Sequence, residues 1–203
     1  MKRRDAISLH AQRTQQIRLG FLILVALLMP GYSRAQGLTE KEQLPTFMKV
    51  LAYDRTFNNV PVSSLRLGIL FRPDLPASVA GEREMRDALN NFNENGPRGM
   101  VWNHESVFWT SPEELARKLT GSEIDILYVT PGQESLIPLI SRWTRSLDIL
   151  TLAPGHREVD LGLSVGLAFH DEHPRIAVNL KALQEEGHEL DSRILRLCKV
   201  VRE

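Results

Sequence analysis

The chain has 203 residues, 25 of them basic and 25 acidic, with 42% hydrophobic residues and one cysteine, Cys198. A lone cysteine excludes an intrachain disulfide, and a formal net charge of zero lacks the basic excess with which nucleic-acid-binding proteins meet phosphates. A chain of this size can bury roughly two-thirds of its extended surface and needs no staple to fold.

Residues 1–35 read as a signal peptide. Lys2, Arg3, Arg4, Arg13 and Arg18 make the segment basic, Phe21 to Met29 form an apolar run, and Pro30 and Gly31 break it. Ser33 and Ala35 then supply the small residues of a cleavage site before Gln36. The run is short for a bilayer span, which needs about 20 apolar residues. No cysteine follows it, so it does not read as a lipoprotein signal. Removing the leader takes away six basic residues and one acidic residue, leaving 19 basic against 24 acidic, and residues 36–203 are expected to form one mildly acidic domain.

In chain order, residues 36–39 read as a loose tail. Leu44, Phe47, Met48 and Leu51 then repeat at helical spacing, and Asp54, Arg55, Asn58 and Asn59 end that helix. Leu65 to Phe71 (LRLGILF) suits a buried strand, and the charged stretch from Ala77 to Asn93 suits a helix with Met85, Leu89 and Phe92 as its apolar stripe. A weaker strand is expected at Met100 to Trp102, with Val107 and Phe108 extending it beyond a kink. Ser111-Pro112-Glu113-Glu114 is a helix start, with Ser111 as N-cap and Glu114 completing a capping box. Ile124 to Val129 reads as a strand, Gln133 to Trp143 as a helix kinked at Pro138, and Leu147 to Leu152 as the next strand.

Leu163, Val165, Leu167 and Phe169 alternate with Ser164, Gly166 and Ala168, a strand with one bulky face and one bare face that another element can approach closely. The polar run from His170 to Pro174 makes a turn, and Ile176 and Val178 continue a hairpin. Asn179 is placed to cap a short helix closed by Gly187. Asp191 or Ser192 opens a last helix whose stripe is Ile194, Leu197, Cys198 and Val201, with Cys198 on its apolar face. Strands alternating with helices predict an α/β fold: one layered domain, a mixed and mostly parallel sheet covered by helices, ending in a β-hairpin and helix.

Two constellations resemble chemistry. Gly162-Leu163-Ser164-Val165-Gly166 matches the G-x-S-x-G nucleophile elbow, with Asp171 and His188 following in the order of a hydrolase triad. That mechanism needs a sharp strand-to-helix turn at Ser164, whereas the alternation runs straight through it. His170 and His173, with Asp171 and Glu172 between them, offer metal-ligand chemistry but sit on one hairpin tip, where a solvated turn is the simpler reading. No phosphate loop or dinucleotide fingerprint occurs, so no catalytic residue, metal or cofactor is assigned. A small ligand, if one binds, belongs at the carboxyl ends of the strands. There the candidates are Asp74 after the first strand, Thr130, Pro131, Gly132 and Gln133 after the third, and Gly155 and His156 after the fourth.

LAYDRTF (51–57), LRLGILF (65–71), IDILYVTPG (124–132), LDILTLAP (147–154), GLSVGLAFHDEHPRIAVNLKALQEEG (162–187) and SRILRLCKVV (192–201) occur in this order and spacing. By them the chain resembles the YfiR family of exported bacterial regulators. The resemblance implies a periplasmic α/β domain without catalytic residues that tends to form homodimers. It further implies a partner, an inner-membrane sensor protein. In the best understood member this is a diguanylate cyclase held inactive through its periplasmic part, which links the family to cyclic-di-GMP and biofilm control. That member carries disulfide-forming cysteine pairs, which this chain lacks. The alternatives are a periplasmic small-ligand-binding protein and, more remotely, a serine hydrolase using Ser164.

Overall fold

Glu40–Ala52 forms the first helix, α1, in a computed structural model that describes residues 38–59, 64–92, 99–170 and 173–201. Thr39 and Glu42 make a reciprocal capping box at its start, so the expected loose tail becomes ordered at Leu38 and Thr39. The residues expected to end this helix instead open a second one, α2 (Arg55–Asn59). Asp54 Oδ1 accepts the Thr56 N–H at 2.8 Å, as an N-cap does.

The remaining elements are β1 (Ser64–Phe71), α3 (Pro76–Asn90), β2 (Val101–Phe108), α4 (Pro112–Gly121), β3 (Ile126–Val129), a 3₁₀ turn at Glu134–Leu136, α5 (Ile137–Ser146), β4 (Leu150–Ala153), α6 (His156–Asp160), β5 (Val165–His170), β6 (His173–Asn179), α7 (Leu180–Glu185), α8 (Ser192–Leu195) and β7 (Cys198–Val201). Among the described residues seven strands form one sheet in the order β2-β1-β3-β4-β5-β6-β7. Only the β5–β6 hairpin is antiparallel; every other neighbouring pair is parallel. The predicted α/β class and mixed, mostly parallel sheet are therefore what the chain forms.

Strand alternation divides the core between the two faces of the sheet. Leu65, Leu67, Ile69, Ile126, Tyr128, Leu150, Leu152, Val165 and Leu167 face one side, where Leu44, Phe47 and Leu51 of α1 and Met85 and Leu89 of α3 meet them. Leu70, Leu127, Val129 and Ala153 face the other, against Leu115 and Leu119 of α4 and Ile137 and Ile140 of α5. Ser111 caps α4 by accepting the Glu114 N–H at 3.2 Å, while the Glu114 carboxylate bonds Arg117, so the capping box is one-sided.

Local differences from the sequence expectation have physical causes. β2 is unbroken, because it pairs residue for residue with β1 from Val101 to Phe108. Pro138 does not kink its helix; it lies in the first turn of α5, where a missing N–H costs nothing. His156 to Asp160, where the sequence predicts no element, is α6. Its seat is the bare face of β5: an added Cβ at Gly166 would lie 2.4 Å from Gly155 O and 2.6 Å from Val159 Cγ2. The close approach inferred from Ser164, Gly166 and Ala168 is thus made by α6.

The final helix is a single turn. Asp191 caps it through the Arg193 N–H at 2.9 Å, and Ile194 is buried, but Leu197 is 64% exposed, so the expected stripe fails there. Cys198 to Val201 instead add the parallel strand β7 to β6. Val200 and Val201 are β-branched, and the ladder groups of β6 supply partners that a further helical turn in this position lacked. Among the described residues no helix is long and apolar enough to cross a membrane. Ala35, the expected cleavage site, lies outside the described residues.

Candidate functional site

The sheet order reverses between β1 and β3: the chain leaves β1 for β2 on one side, then crosses to β3 on the other. At such a switch point the loops after the two strands diverge and leave room for a ligand at their carboxyl ends. Here much of that room is filled by the chain itself. Thr130 Oγ1 donates to Leu70 O at 2.9 Å, and Ser78 Oγ, at the start of α3, lies 2.5 Å from Thr130 Oγ1 and accepts the Arg72 N–H at 2.8 Å. Gln133 Nε2 donates to Leu70 O at 2.8 Å and to Thr130 Oγ1 at 2.9 Å. Those partners are acceptors, which fixes the amide orientation and turns Gln133 Oε1 the other way. That oxygen is buried and has no hydrogen-bond partner among the described residues.

The expected crevice residues divide between buried and exposed positions. Thr130 and Gln133 are buried together with Ser78, and Pro131 packs near Gly81, where an added Cβ would lie 2.9 Å from Pro131 Cδ and 2.8 Å from Glu40 Oε1. Gly132 is exposed, with φ +84°, the left-handed turn that glycine favours. Asp74 is exposed and turns back to Arg72, whose guanidinium holds its carboxyl below the usual range. His156 opens α6 on the surface, and Gly155 is half-buried beneath Gly166.

Beside these residues lies a set that sequence reasoning missed. Tyr128 is fully buried, and its hydroxyl donates to Gln43 Oε1 at 3.3 Å. Burial and the nearby carboxylates of Glu40, Glu158 and Glu84 push its phenol well above the ordinary value. Glu158 of α6 is buried too, and burial raises its carboxyl. The available signal was a single tyrosine in the otherwise apolar run ILYV.

A second polar centre lies deeper. Glu186 is fully buried and accepts from Thr151 N–H and Oγ1–H at 2.9 Å each, from Thr144 Oγ1–H at 3.0 Å, and from Ser164 Oγ–H. Thr151 Oγ1 in turn accepts the Ser164 N–H at 2.8 Å. Burial outweighs these donors and raises the Glu186 carboxyl to about 6.

Ser164 is therefore a structural donor with no exposed surface, sitting where β5 begins and not at a strand-to-helix elbow. His188 does not reach it: His188 Nδ1 lies 2.8 Å from Asp54 Oδ2, and the ring packs tilted at 56° against Phe57 with centroids 4.7 Å apart. Asp171 lies outside the described residues, as do the side chains of His170, Glu172 and His173 on which a metal reading rests. Among the described residues no group of three or more His, Cys, Asp and Glu side chains could hold a metal ion. Cys198, expected on a helix, opens β7; burial pushes its thiol to about 11, so it stays protonated at neutral pH.

The surface adds an open groove of about 480 Å³ between α1 and α3, lined in part by Lys41, Pro45, Asp87, Asn91 and Phe92.

Comparison with known proteins gives a family and a fold. A family model described as YfiR/HmsC-like matches residues 75–199. No curated protein matches the sequence. Among solved structures, a conserved domain protein from Vibrio cholerae O1 biovar El Tor is similar at TM-score 0.58 and 11% identity, over 82% of this chain and 61% of its own. An ABC domain from Streptococcus pneumoniae in complex with L-Trp is similar at TM-score 0.55 and 16% identity, over 80% of this chain and 60% of its own. A substrate-binding protein with adhesive properties from Clostridium difficile, in its ligand-free open form, is similar at TM-score 0.54 and 15% identity, over 68% of this chain and 55% of its own. The chain thus spans little more than half the length of these structures, and at such identities the likeness is one of fold.

Proposed function

Because the chain belongs to the YfiR/HmsC-like family, we propose that it is a periplasmic regulator without catalytic activity, exported by a signal peptide cleaved after Ala35. It binds the periplasmic sensor part of an inner-membrane signalling protein and acts as a homodimer. A diguanylate cyclase held inactive by that contact, and so cyclic-di-GMP output, is the specific partner and readout we infer. The family match over residues 75–199, which runs from the start of α3 into β7, carries this reading. The hydroxyls of Ser164, Thr151 and Thr144 support it, since they are committed to Glu186 inside the fold and leave no activated nucleophile there. The test is affinity capture from detergent-solubilised membranes of the source cell. Recovery of a membrane protein with a periplasmic sensor domain is expected; recovery of none counts against the reading, and recovery of one without cyclase activity removes only the cyclase.

A second reading, a periplasmic small-ligand-binding protein, is favoured by one observation: the buried Gln133 Oε1 at the switch point, an acceptor without a donor among the described residues. The fold likeness to a substrate-binding protein and to a domain holding L-Trp is consistent with it. On this reading Thr130, Pro131, Gly132 and Gln133 form the floor of the site, with Asp74, Gly155 and His156 at its rim. A thermal-shift screen of metabolites checks it: a ligand that raises Tm in the native protein and not in Gln133→Ala supports the site, and an identical shift in both places the ligand elsewhere.

A further inference from the structure

We propose that the free edge of β2 seats a second copy of this chain, the two β2 strands pairing antiparallel about a two-fold axis at Glu105. This names an interface for the homodimer proposed above and rests on that part of the reading alone. β2 is the outermost strand beside β1, and among the described residues no strand lies on its other side. The Trp109 N–H donates to Phe71 O at 2.8 Å. Backbone groups alternate in direction along a strand, so the odd-numbered residues from 101 to 109 face β1. Trp102, His104, Ser106 and Phe108 therefore turn their N–H and C=O groups outward.

Such an edge templates another strand unless a bulge, a proline or an unpaired charge blunts it. β2 keeps unbroken register with β1, contains no proline, and its acidic side chain, Glu105, is held by Lys118 Nζ at 2.6 Å. Its two ends are apolar and open, with Val101 and Phe108 each 58% exposed.

Symmetry then selects the register. A two-fold axis perpendicular to the sheet sets residues of the same face opposite one another, so facing residues differ in number by an even count. Centred on Glu105, Trp102 faces Phe108 of the other copy and His104 faces Ser106, which places every outward N–H and C=O in a hydrogen-bonded pair. Centred on His104, Trp102 faces Ser106 and Phe108 is left over. The Glu105 centre also sets the exposed Phe108 ring against Trp102, an aromatic cross-strand pair. Its cost is the approach of two Glu105 carboxylates, which the Lys118 of each copy offsets.

Analytical ultracentrifugation of the purified protein is expected to give a dimer. Phe108→Lys, on an exposed side chain, and His104→Pro, whose lost N–H points away from β1, should each give a monomer with unchanged far-UV circular dichroism. In a Cys198→Ser background, Glu105→Cys should oxidise to a disulfide-linked dimer faster than His104→Cys. A native monomer overturns the proposal; if the same two variants then abolish capture of the membrane protein, a strand of that partner occupies the edge. A dimer that survives both variants removes the edge and leaves the homodimer standing. Faster cross-linking of His104→Cys overturns the Glu105 centre.

Discussion

Glu186 is a carboxylate whose chemistry is set by its buried surroundings. It sits among the hydroxyls of Ser164, Thr151 and Thr144, and its carboxyl rises to about 6 because burial disfavours the charge more than the donors favour it. A folded-state value above the unfolded one means that the folded protein binds the proton more tightly. The resulting stability is fully present below the unfolded value and is lost as pH rises through about 6. The shift corresponds to about 2 kcal/mol. Glu186→Gln keeps an acceptor for the Thr151 N–H, and the hydroxyls can turn to accept from the new amide. Urea unfolding across this pH range should therefore show a flatter stability profile for Glu186→Gln than for the native protein. Some slope should persist, since burial raises Asp125 and Glu158 in the same direction. Equal slopes would show that Glu186 is not the titrating group. None of this was legible from Glu186 itself, one acid in the run QEEG. Its partners come from β4, from the residue just before β5 and from α5, distant in the chain and joined only by the fold.

At the scale of elements, local signals were read best where the responsible groups are neighbours in sequence. Asn179 Oδ1 accepts the Ala182 N–H at 3.0 Å, and Gly187 takes φ +75° after α7, as a cap and a stop within one short segment should. Reading failed where packing decided. α6 was hidden in HREVD because so short a helix carries little periodicity, and what holds it is the bare face of β5. Gly166→Ala tests that seat. Its Cβ would meet the Gly155 carbonyl at 2.4 Å, a backbone atom that cannot rotate away, so α6 must lift from the sheet. The expected loss is about 1–3 kcal/mol, measured by thermal or urea denaturation, from overpacking. A variant as stable as the native protein would mean that α6 does not pack there. The terminal stripe of Ile194, Leu197, Cys198 and Val201 failed for the opposite reason: its helical spacing was real, but a strand ladder was available to Cys198–Val201 on β6.

For the whole molecule, the sheet order brings β3, β4 and β5 to the centre and leaves β2 and β7 as the edges among the described residues. β7 covers β6, so deleting residues 198–203 should bare the outer side of β6 and remove the packing of the half-buried Val200 and Val201. Tm is expected to fall by roughly 5–10 °C, or about 2–3 kcal/mol for a domain of this size. Light scattering should rise as the uncovered edge finds other chains. An unchanged Tm would show that β7 is dispensable to the fold. The same order explains why the expected crevice was only partly legible. The turn residues Thr130, Pro131, Gly132 and Gln133 mark the carboxyl end of β3, and the switch-point rule points there. That Ser78 of α3 would reach across to Thr130 depends on how α3 packs, which no local pattern in the chain reports.

The sequence by itself determined the α/β class, the two-sided burial of the central strands, the hairpin and the capped α7. Each depends on the period of apolar residues or on a cap within a few positions, and such forces act locally. Only the tertiary structure decided that Ser164 serves a buried glutamate, that His188 pairs with Asp54, and that the chain closes as a strand. Those outcomes are set by which groups are brought together across the fold, where a buried polar atom must find a partner and a free ladder must be filled.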